Sequence, residues 1–475
     1  MTDKTAQPDN TGSQSAQSAA DGLSRRSLFR AAGVGAAVVG GGSFLEACSS
    51  GIQGATSSTS AAGSSSSGAA SSKEITIGWI HPLTGSLAGF GYPDNWVMQQ
   101  VQATSQYKNG FKIGGSTYKV NIKSYDSQSS VTMAGTLARQ AIQNDNVDLL
   151  FASSTPETVN AVASQANTLG TPLICSNVPW ESYYINLGGN PQKPTLKPKY
   201  SVMYFLGAEH LVECFIPMWN RIGAQYGNNH IVAAAFPNDA DGNAFRAVFP
   251  PIAKGAGYTI DLSSPYADGL TNYTSMISQF KSSKADFFTN VPLPPDFATM
   301  WKQSLQQGFK PKLATVAKVL LFPTDAYAMG SEVYNIATDS WWVPELPWTS
   351  SFTGQTCQAL ADLYTSDGLG QPNANISNYT LFEIAYQALT SVDNPHDHAE
   401  VAAALFKVNL PQAVAGPLNY TSTNVKTNPA PGVAITPPVG IQWQKGTTYP
   451  LEAKVVDNSL QPLAKITGDL LPTFK

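Results

Sequence analysis

Residues 144–157 read Asn-Asp-Asn-Val-Asp-Leu-Leu-Phe-Ala-Ser-Ser-Thr-Pro-Glu. The apolar run at 147–152 has the length and composition of a buried strand, and the Ser, Thr and Pro residues that follow are typical of a strand end. Apolar residues then recur at helical spacing across residues 159–169. A strand that passes directly into a helix predicts a parallel sheet with helices on both faces, so this stretch decides the fold class.

The same alternation runs along most of the chain from residue 73 onward. In the first half it predicts strands at 75–80, 118–125, 147–152 and 172–175, with helices at 131–142 and 159–169. After residue 206 the pattern restarts, with helices at 208–222, 243–254 and 273–280 and strands at 231–236, 259–262 and 286–289. Residues 282–289, Ser-Ser-Lys-Ala-Asp-Phe-Phe-Thr, also resemble residues 144–151, which lie 138 positions earlier. The repeat predicts two similar α/β lobes.

The composition excludes several classes of protein. The chain has 475 residues, of which 42% are apolar and 13% charged, and its net charge is −4. This length predicts two or three folded units, and the acidic balance gives no electrostatic reason for nucleic acid as a partner. Four cysteines without a Cys-x-x-Cys pair favour neither a disulfide scaffold nor a zinc site. Three of them, Cys175, Cys214 and Cys357, lie in apolar patterns and are expected to be buried thiols.

The N-terminus has the features of an export signal. The paired Arg25 and Arg26, in Ser-Arg-Arg-Ser-Leu-Phe-Arg, are typical of a twin-arginine signal, although paired arginines also occur in ordinary basic leaders. The weakly apolar run at 31–44 is too short to span a bilayer, which takes about 20 helical residues. It ends at Leu-Glu-Ala-Cys, which resembles a lipoprotein cleavage site. Residues 1–47 are therefore predicted to be a signal peptide, with Cys48 as the lipidated N-terminus.

Residues 48–72 are predicted to be the lipidated cysteine and a flexible tether. Residues 49–72 are almost entirely Ser, Gly, Ala and Thr, and such a chain behaves as a coil with a typical reach of roughly 25 to 30 Å. No later stretch is apolar for about 20 residues without interruption, so the lipid would be the only membrane anchor. We therefore expect the body of the chain on the extracytoplasmic face of a bacterial membrane, in the periplasm or at the cell surface.

Four segments of the body resemble one known family. They are Ile-Gly-Trp-Ile-His-Pro-Leu-Thr-Gly (77–85) with Ala-Gly-Phe-Gly (88–91), Ser-Ser-Thr (153–155), residues 378–389, and Gly-Pro-Leu-Asn-Tyr (416–420) with Gly-Ile-Gln-Trp-Gln-Lys-Gly (440–446). In their order and spacing these segments are similar to the solute-binding proteins of branched-chain amino acid ABC transporters, which are type I periplasmic binding proteins. The resemblance extends over nearly all of residues 74–455.

The resemblance implies an α/β fold of two Rossmann-like lobes with parallel sheets. Three crossovers would join the lobes, near residues 205–207, 340–346 and 418–424. Lobe 1 would comprise residues 73–206 and 345–420, and lobe 2 residues 207–344 and 421–475. The ligand would bind in the cleft between the lobes, which close on it by a hinge motion.

The first candidate ligand contacts follow the strand at 147–152. Ser153, Ser154 and Thr155 offer hydroxyl groups beside the N-terminus of a helix, where a carboxylate is favoured, and the resemblance implies a ligand contact at this loop. The same loop has a structural interpretation, because Ser154 and Glu157 have the spacing of a capping box. The two roles are compatible.

Two further loops of lobe 1 carry candidates. The resemblance places Phe90 against the ligand side chain, while the alternative is a loop aromatic that covers the edge of the lobe. Ser176, Asn177 and Trp180 follow the next strand, in a loop that contacts ligand in relatives. The ring of Trp180 would stack on a planar or apolar ligand, with core packing as the alternative.

In lobe 2, charged residues follow the predicted strands. Asp239 and Asp241 come after the strand at 231–236, where they would bind a ligand ammonium or cap the next helix. Amino-acid-binding relatives carry an acidic residue within the segment 315–319, whereas this chain has Lys318. Lys318 would repel an ammonium and attract a carboxylate, unless it is a solvated surface lysine. The expected solute is therefore a small carboxylate or amide with an apolar or aromatic body, and a branched-chain or aromatic amino acid is the alternative.

Other conspicuous side chains are given structural roles. Trp341, Trp342 and Trp348 lie near the second crossover, and hinge packing is favoured over a place in an aromatic cleft. The His-Asp-His sequence at 396–398 is interpreted as a turn, because no further metal-capable residues are close in sequence.

The sequence thus predicts a binding protein and not an enzyme. We expect a monomeric, lipid-anchored receptor that captures a small solute without cofactor or metal and presents it to an ABC transporter permease. A sensor lipoprotein that binds the same solute is one alternative. An exported hydrolase is another, although no Gly-x-Ser-x-Gly, His-Glu-x-x-His or Gly-x-x-x-x-Gly-Lys motif occurs in the chain.

Overall fold

The structure is a computed structural model that describes residues 73–474. The predictions for Arg25, Arg26, Cys48 and the tether fall outside these residues. Within them, strands and helices alternate as the sequence predicts. No helix in residues 73–474 is both long enough and apolar enough to cross a membrane.

The described residues form sixteen strands and thirteen α-helices. The strands are β1 Lys73–His81, β2 Phe111–Ile113, β3 Ser116–Asp126, β4 Leu149–Ser153, β5 Leu173–Ser176, β6 Ser201–Phe205, β7 Ile231–Ala235, β8 Thr259–Leu262, β9 Phe287–Asn290, β10 Leu313–Val316, β11 Ala337–Ser340, β12 Asn409–Leu410, β13 Leu418–Asn419, β14 Val433–Ile435, β15 Val439–Lys445 and β16 Leu451–Asp457. The helices are α1 Asp94–Gln102, α2 Ser105–Lys108, α3 Val131–Gln143, α4 Pro156–Leu169, α5 Trp180–Asn186, α6 Ala208–Tyr226, α7 Ala240–Gly255, α8 Thr274–Ser282, α9 Pro294–Gln306, α10 Pro323–Met329, α11 Cys357–Tyr364, α12 Tyr379–Leu389 and α13 His398–Leu405.

Two seven-stranded sheets form the centres of two lobes. Lobe 1 has the strand order β14-β6-β5-β4-β1-β3-β2, and lobe 2 has the order β16-β15-β11-β10-β9-β7-β8. Within them, the run β5-β4-β1-β3 has the same order as β10-β9-β7-β8, and all of these neighbours pair in parallel. The strands predicted at 147–152 and 286–289 correspond to β4 and β9, which hold equivalent positions. The repeat therefore reflects two similar lobes, and the predicted α/β class is confirmed.

The β4–α4 connection shows how the local sequence builds one edge of the cleft. All five residues of β4 are buried, as expected for a parallel strand covered on both faces. Helix α4 begins with Pro156 at its first turn, directly after Thr155 in extended backbone, because the fixed φ of proline suits this position. The helix ends at Gly170, whose φ of 76° is left-handed and therefore favours glycine. Residues 153–155 are thus held at the carboxyl end of the sheet.

The chain passes between the lobes three times. It leaves lobe 1 between β6 and α6, and after β11 it returns to α12, which packs on β2 and β5. The third crossover follows β14, which pairs with β6, and precedes β15, which pairs with β11. The predicted crossover near 418–424, with lobe 2 resuming at residue 421, is therefore wrong, and the crossover lies at 436–438. The buried edge strand β14 has only three residues, too few for a recognisable strand pattern.

Several side chains outside the cleft have the structural roles expected of them. The three cysteines of the described residues are buried and unbridged. Asp397 caps α13 by accepting hydrogen bonds from the backbone N–H groups of Ala399 and Glu400. His396 Nδ1 lies 2.6 Å from Asp148 Oδ1, and His398 Nδ1 lies 3.0 Å from the Gly170 carbonyl oxygen. His396 lies in a turn, as interpreted, whereas His398 is the first residue of α13.

Candidate functional site

A small cavity of about 40 Å³ lies between the two lobes. Phe90, Ser154 and Thr155 contribute to its wall from lobe 1, Asp241 and Lys318 from lobe 2. The two lobes are in contact beside this cavity. There the ammonium of Lys318 in lobe 2 pairs with Glu157 of α4 in lobe 1.

Four buried polar atoms of cavity-lining residues lack a hydrogen-bond partner within residues 73–474. They are Ser154 Oγ, Thr155 Oγ1, Asp339 Oδ1 and Trp341 Nε1. An unpaired buried polar group costs about 1 to 3 kcal/mol, and native proteins keep few of them. A small polar solute in the cavity would form hydrogen bonds with these two hydroxyl groups, the indole N–H and the carboxyl oxygen.

A larger cavity of about 360 Å³ is a weaker candidate. Its lining includes Trp342, Trp443 and Glu452. Glu452 already accepts hydrogen bonds from the backbone N–H groups of residues 447–449. In the described part of the chain, Trp342 Nε1 is its one buried polar atom without a partner. We take the smaller cavity as the site, because it lies between the lobes and four of its lining residues carry unpaired polar atoms.

The start of α4 differs from the predicted capping box. The N-cap is Thr155 and not Ser154, and no side chain caps this helix end. The Glu157 carboxylate pairs with Lys318 at 3.0 Å. The capping-box interpretation is therefore wrong. The hydroxyl groups of Ser154 and Thr155 are left unpaired beside the N-terminus of a 14-residue helix, where a negative charge is favoured.

Lys318 is the centre of a buried ion cluster. Its Nζ lies 2.9 Å from Asp241 Oδ2, 3.0 Å from Glu157 Oε1 and 3.2 Å from Asp239 Oδ2. Only 4% of the Lys318 side chain is exposed, which excludes the solvated lysine considered for this position. Asp239 caps α7, one of its two expected roles, because its Oδ1 accepts a hydrogen bond from Gly242 N at 2.6 Å. The ammonium that it pairs with belongs to Lys318 and not to a ligand.

Burial and ion pairing set the pKa values of this cluster. Burial alone would lower the pKa of Lys318, but its three carboxylate neighbours, Asp241 foremost, raise it well above the usual range. Burial alone would raise the pKa of Glu157, yet the Lys318 ammonium brings it below its usual range. Burial raises the pKa of Asp239, and that of Asp241 to about 7. The ammonium is thus charged and paired with three carboxylates of the protein. The expectation that Lys318 attracts a ligand carboxylate stays a prediction.

Aromatic rings form the apolar wall of the cavity. The rings of Phe90 and Trp341 are stacked, with centroids 6.3 Å apart and an interplanar angle of 11°. Phe205 meets Trp341 edge-on at 4.9 Å, and Phe322 meets Phe90 edge-on at 4.8 Å. The structure thus brings Phe90 to the cavity, as the resemblance implied. Trp341 lies there as well, whereas hinge packing was the favoured role for it.

Three predicted contacts do not line the cavity. Ser153 Oγ accepts a hydrogen bond from Trp79 Nε1, and Ser176 Oγ donates one to Asn177 Oδ1. Trp180 Nε1 donates to Glu209 Oε1 at 2.9 Å, which ties α5 to the start of α6. These three predictions are corrected, because each polar group is committed to a neighbour within the protein. Asn177 does line the cavity.

Asp339 is a site residue that the sequence interpretation missed. It lies near the end of β11, is 2% exposed, and has one carboxylate oxygen without a partner in the described residues. Burial raises its pKa to about 7. The rule that polar residues at the ends of parallel strands approach the ligand would have identified it. The sequence pattern does not predict a strand at 337–340, so it does not point to Asp339.

Comparison with known proteins places the chain in a family. The family model of periplasmic binding proteins matches residues 74–433. The chain belongs to the periplasmic binding protein family. Members of this family are extracytoplasmic solute-binding proteins, and the resemblance inferred from the sequence is confirmed.

Solved structures have the same fold as this periplasmic binding protein. The leucine-binding protein LivK from Thermotoga maritima is 16% identical, with a TM-score of 0.64 over 81% of this chain and 99% of LivK. A solute-binding protein of an ABC transporter from Rhodopseudomonas palustris, in complex with 4-hydroxybenzoate, is 17% identical, with a TM-score of 0.63 over 81% of this chain and 96% of its own. LivJ from Streptococcus pneumoniae, in complex with isoleucine, is 15% identical, with a TM-score of 0.61 over 81% and 100% of the two chains. At these identities the likeness shows the type I fold alone.

Proposed function

We propose that this periplasmic binding protein captures a small organic solute, an amino acid, carboxylate or amide, in the cavity between its lobes and delivers it to an ABC transporter permease. The N-terminal 72 residues would export the chain and hold it to the membrane through a lipid on Cys48. The protein would act as a monomer on the extracytoplasmic face.

One observation carries this proposal. The cavity collects four unpaired buried polar atoms, from Ser154 and Thr155 in lobe 1, Asp339 in lobe 2 and Trp341 at the second crossover. A solute that forms hydrogen bonds with these atoms stabilises the closed lobes relative to the open ones. Closure takes away the hydrogen bonds that these atoms make to water, and the solute replaces them. Closure that depends on the solute is how such a receptor would signal occupancy to a permease.

The arrangement of these groups indicates which end of the solute goes where. The two hydroxyl groups and the N-terminus of α4 form a site for a carboxylate or carbonyl oxygen. The stacked rings of Phe90 and Trp341 lie along the apolar body. The structural relatives bound to isoleucine and to 4-hydroxybenzoate both hold solutes of this general form, a carboxylate on an apolar body.

The proposal is tested by a thermal-shift screen of residues 73–475 against branched-chain and aromatic amino acids, aromatic acids, short dicarboxylates and amides. A solute present at 100 times its Kd adds about 2.7 kcal/mol to the free energy of unfolding, which moves the midpoint by several degrees. The double variant S154A/T155A is expected to lose the shift. The matched control is S331A, which removes a hydroxyl from an exposed residue outside the cavity. A screen without any shift, or an unchanged shift in S154A/T155A, would contradict the proposal.

The membrane anchor requires a separate experiment in the full-length chain. Replacement C48A is expected to release the protein from the membrane fraction, and R25K/R26K to block export. Recovery of C48A in the membrane fraction would contradict the lipid anchor without bearing on the cavity.

A further inference from the structure

The ammonium of Lys318 has a complete set of partners. A lysine ammonium has three N–H donors, and three carboxylates lie within 3.2 Å of Nζ. Two of them, Asp239 and Asp241, belong to lobe 2, and Glu157 belongs to α4 of lobe 1. The Lys318 ammonium therefore occupies the position between these three carboxylates, where it spans the two lobes.

The backbone of Lys318 adopts an unfavourable conformation, so holding its side chain in the cleft costs conformational free energy. Lys318 has φ of 67°, and Leu320 has φ of 59°, both in the left-handed region that L residues seldom adopt. Residues in this region are kept when surrounding contacts fix them, and such residues cluster at ligand-binding sites. Here the turn after β10 directs a lysine into the cleft, where most of its side chain is buried.

The position of the cluster matters because it adjoins the proposed carboxylate site. Glu157 is two residues from Thr155, and both Thr155 and Lys318 line the same cavity. In an α-amino acid, the ammonium is attached to the carbon next to the carboxylate. A carboxylate at Ser154 and Thr155 would direct this ammonium toward the cluster, where Lys318 Nζ already occupies the position between the three carboxylates.

We propose that Lys318 is a built-in cation that occupies the ammonium position of the cleft, so that the cleft selects small carboxylates or amides without an α-ammonium group and rejects α-amino acids. This inference rests on the proposed solute-binding function and narrows its solute class. Lys318 is then a residue that determines specificity through the position it fills. It also bridges the closed lobes through Glu157, as a ligand ammonium would.

Two measurements test the inference. The first compares matched solutes in calorimetric titrations of residues 73–475: leucine with 4-methylpentanoate, and phenylalanine with 3-phenylpropanoate. Wild-type protein is expected to bind the acid without the ammonium at least about tenfold more tightly. The variant K318A, which vacates the position, is expected to reverse this preference. K318M, which keeps the length of the side chain without its charge, replaces K318A if the smaller residue does not fold.

The second measurement needs no solute. Ethylammonium chloride is expected to raise the melting midpoint of K318A, because a free ammonium enters the vacated position, and to leave the wild type unchanged relative to sodium chloride. The matched control is K312A, which removes a lysine paired with Asp286 outside the cavity, and ethylammonium should not rescue it.

The outcomes separate the inference from the function on which it rests. Equal binding of leucine and 4-methylpentanoate to the wild type, or no rescue of K318A by ethylammonium, would overturn the inference and leave the solute-binding function standing. If no amino acid, acid or amide binds the wild type, the solute-binding function is overturned, whereas the rescue experiment still reports on Lys318 alone.

Discussion

Lys318 Nζ in lobe 2 lies 3.0 Å from Glu157 Oε1 in lobe 1, so one buried ion pair spans the cleft in the closed protein. The same ammonium is held by Asp239 and Asp241 from its own lobe. The contact between the lobes at this point is therefore electrostatic, while the stacked Phe90 and Trp341 provide an apolar contact nearby.

Removing the charge of Glu157 is expected to loosen the closed state. In E157Q the Lys318 ammonium loses the one charged partner that lobe 1 provides within residues 73–474, and we expect a loss of about 1 to 3 kcal/mol in the free energy of unfolding. Small-angle X-ray scattering should show a larger radius of gyration without solute. The control E213Q, at an exposed position of α6, should change neither quantity. A compact, fully stable E157Q would contradict the role of the ion pair.

The buried carboxyl of Asp339 predicts a pH dependence of stability. Burial raises its pKa to about 7, against about 3.9 in an unfolded chain. The folded protein therefore binds the proton more tightly, and the free energy of unfolding falls as pH rises from about 4 to about 7. D339N has no carboxyl group to titrate at this position. The free energy of unfolding of D339N minus that of the wild type should therefore increase between pH 5 and pH 8, by on the order of 2 to 4 kcal/mol when the titration of Asp339 is complete.

Urea unfolding at several pH values measures this difference. Asp241, whose pKa burial also raises to about 7, contributes equally to both proteins and cancels in the comparison. The exposed Asp469, which does not line the cavity, provides the control variant D469N. A constant difference between D339N and the wild type across this range would show that Asp339 is ionised in the folded protein.

Trp341 is expected to contribute to solute binding through both its ring and its N–H. W341F keeps an aromatic ring and loses the unpaired indole donor, so we expect a loss of about tenfold in affinity, the value of roughly one hydrogen bond. W341A loses the stacked ring as well and should bind at least about tenfold more weakly than W341F. Calorimetric titration with a solute from the screen measures both. Equal affinity of W341F and the wild type would show that the indole N–H does not contact the solute.

Phe90 and Trp180 provide a test of which lobe 1 aromatic contacts the solute. F90A removes a cavity wall and should weaken binding at least about tenfold. W180F breaks the hydrogen bond to Glu209 and should cost about 1 kcal/mol in stability, with solute affinity unchanged. Melting curves and titrations of the two variants distinguish these effects, and weaker binding by W180F would restore Trp180 to the site.

The fold could be predicted from sequence because its signals are local. The apolar run before Ser153 and the helical spacing after Pro156 each lie within a short window, and their recurrence in residues 282–289 indicates the second lobe. The third crossover was misplaced because β14 has three residues and depends for its existence on pairing with β6. A pairing with a strand more than 200 residues earlier leaves no local pattern.

The site was predicted less completely, because its chemistry depends on side chains that converge from distant segments. The hydroxyl groups of Ser154 and Thr155 follow a strand and were identified by that position. The environment of Lys318 was not, since its partner Glu157 is 161 residues away. A lysine alone indicates a positive site, and only the convergence of three carboxylates shows that its charge is already matched.

The most direct test of solute capture between the lobes is a calorimetric titration of residues 73–475 and of S154A/T155A with the solute that gives the largest thermal shift. The account predicts a single site in the wild type and an affinity at least about 100-fold weaker in the double variant, since two hydrogen bonds to a charged or polar group are lost. Equal affinities in the two proteins would contradict it, because the solute would then bind away from the N-terminus of α4.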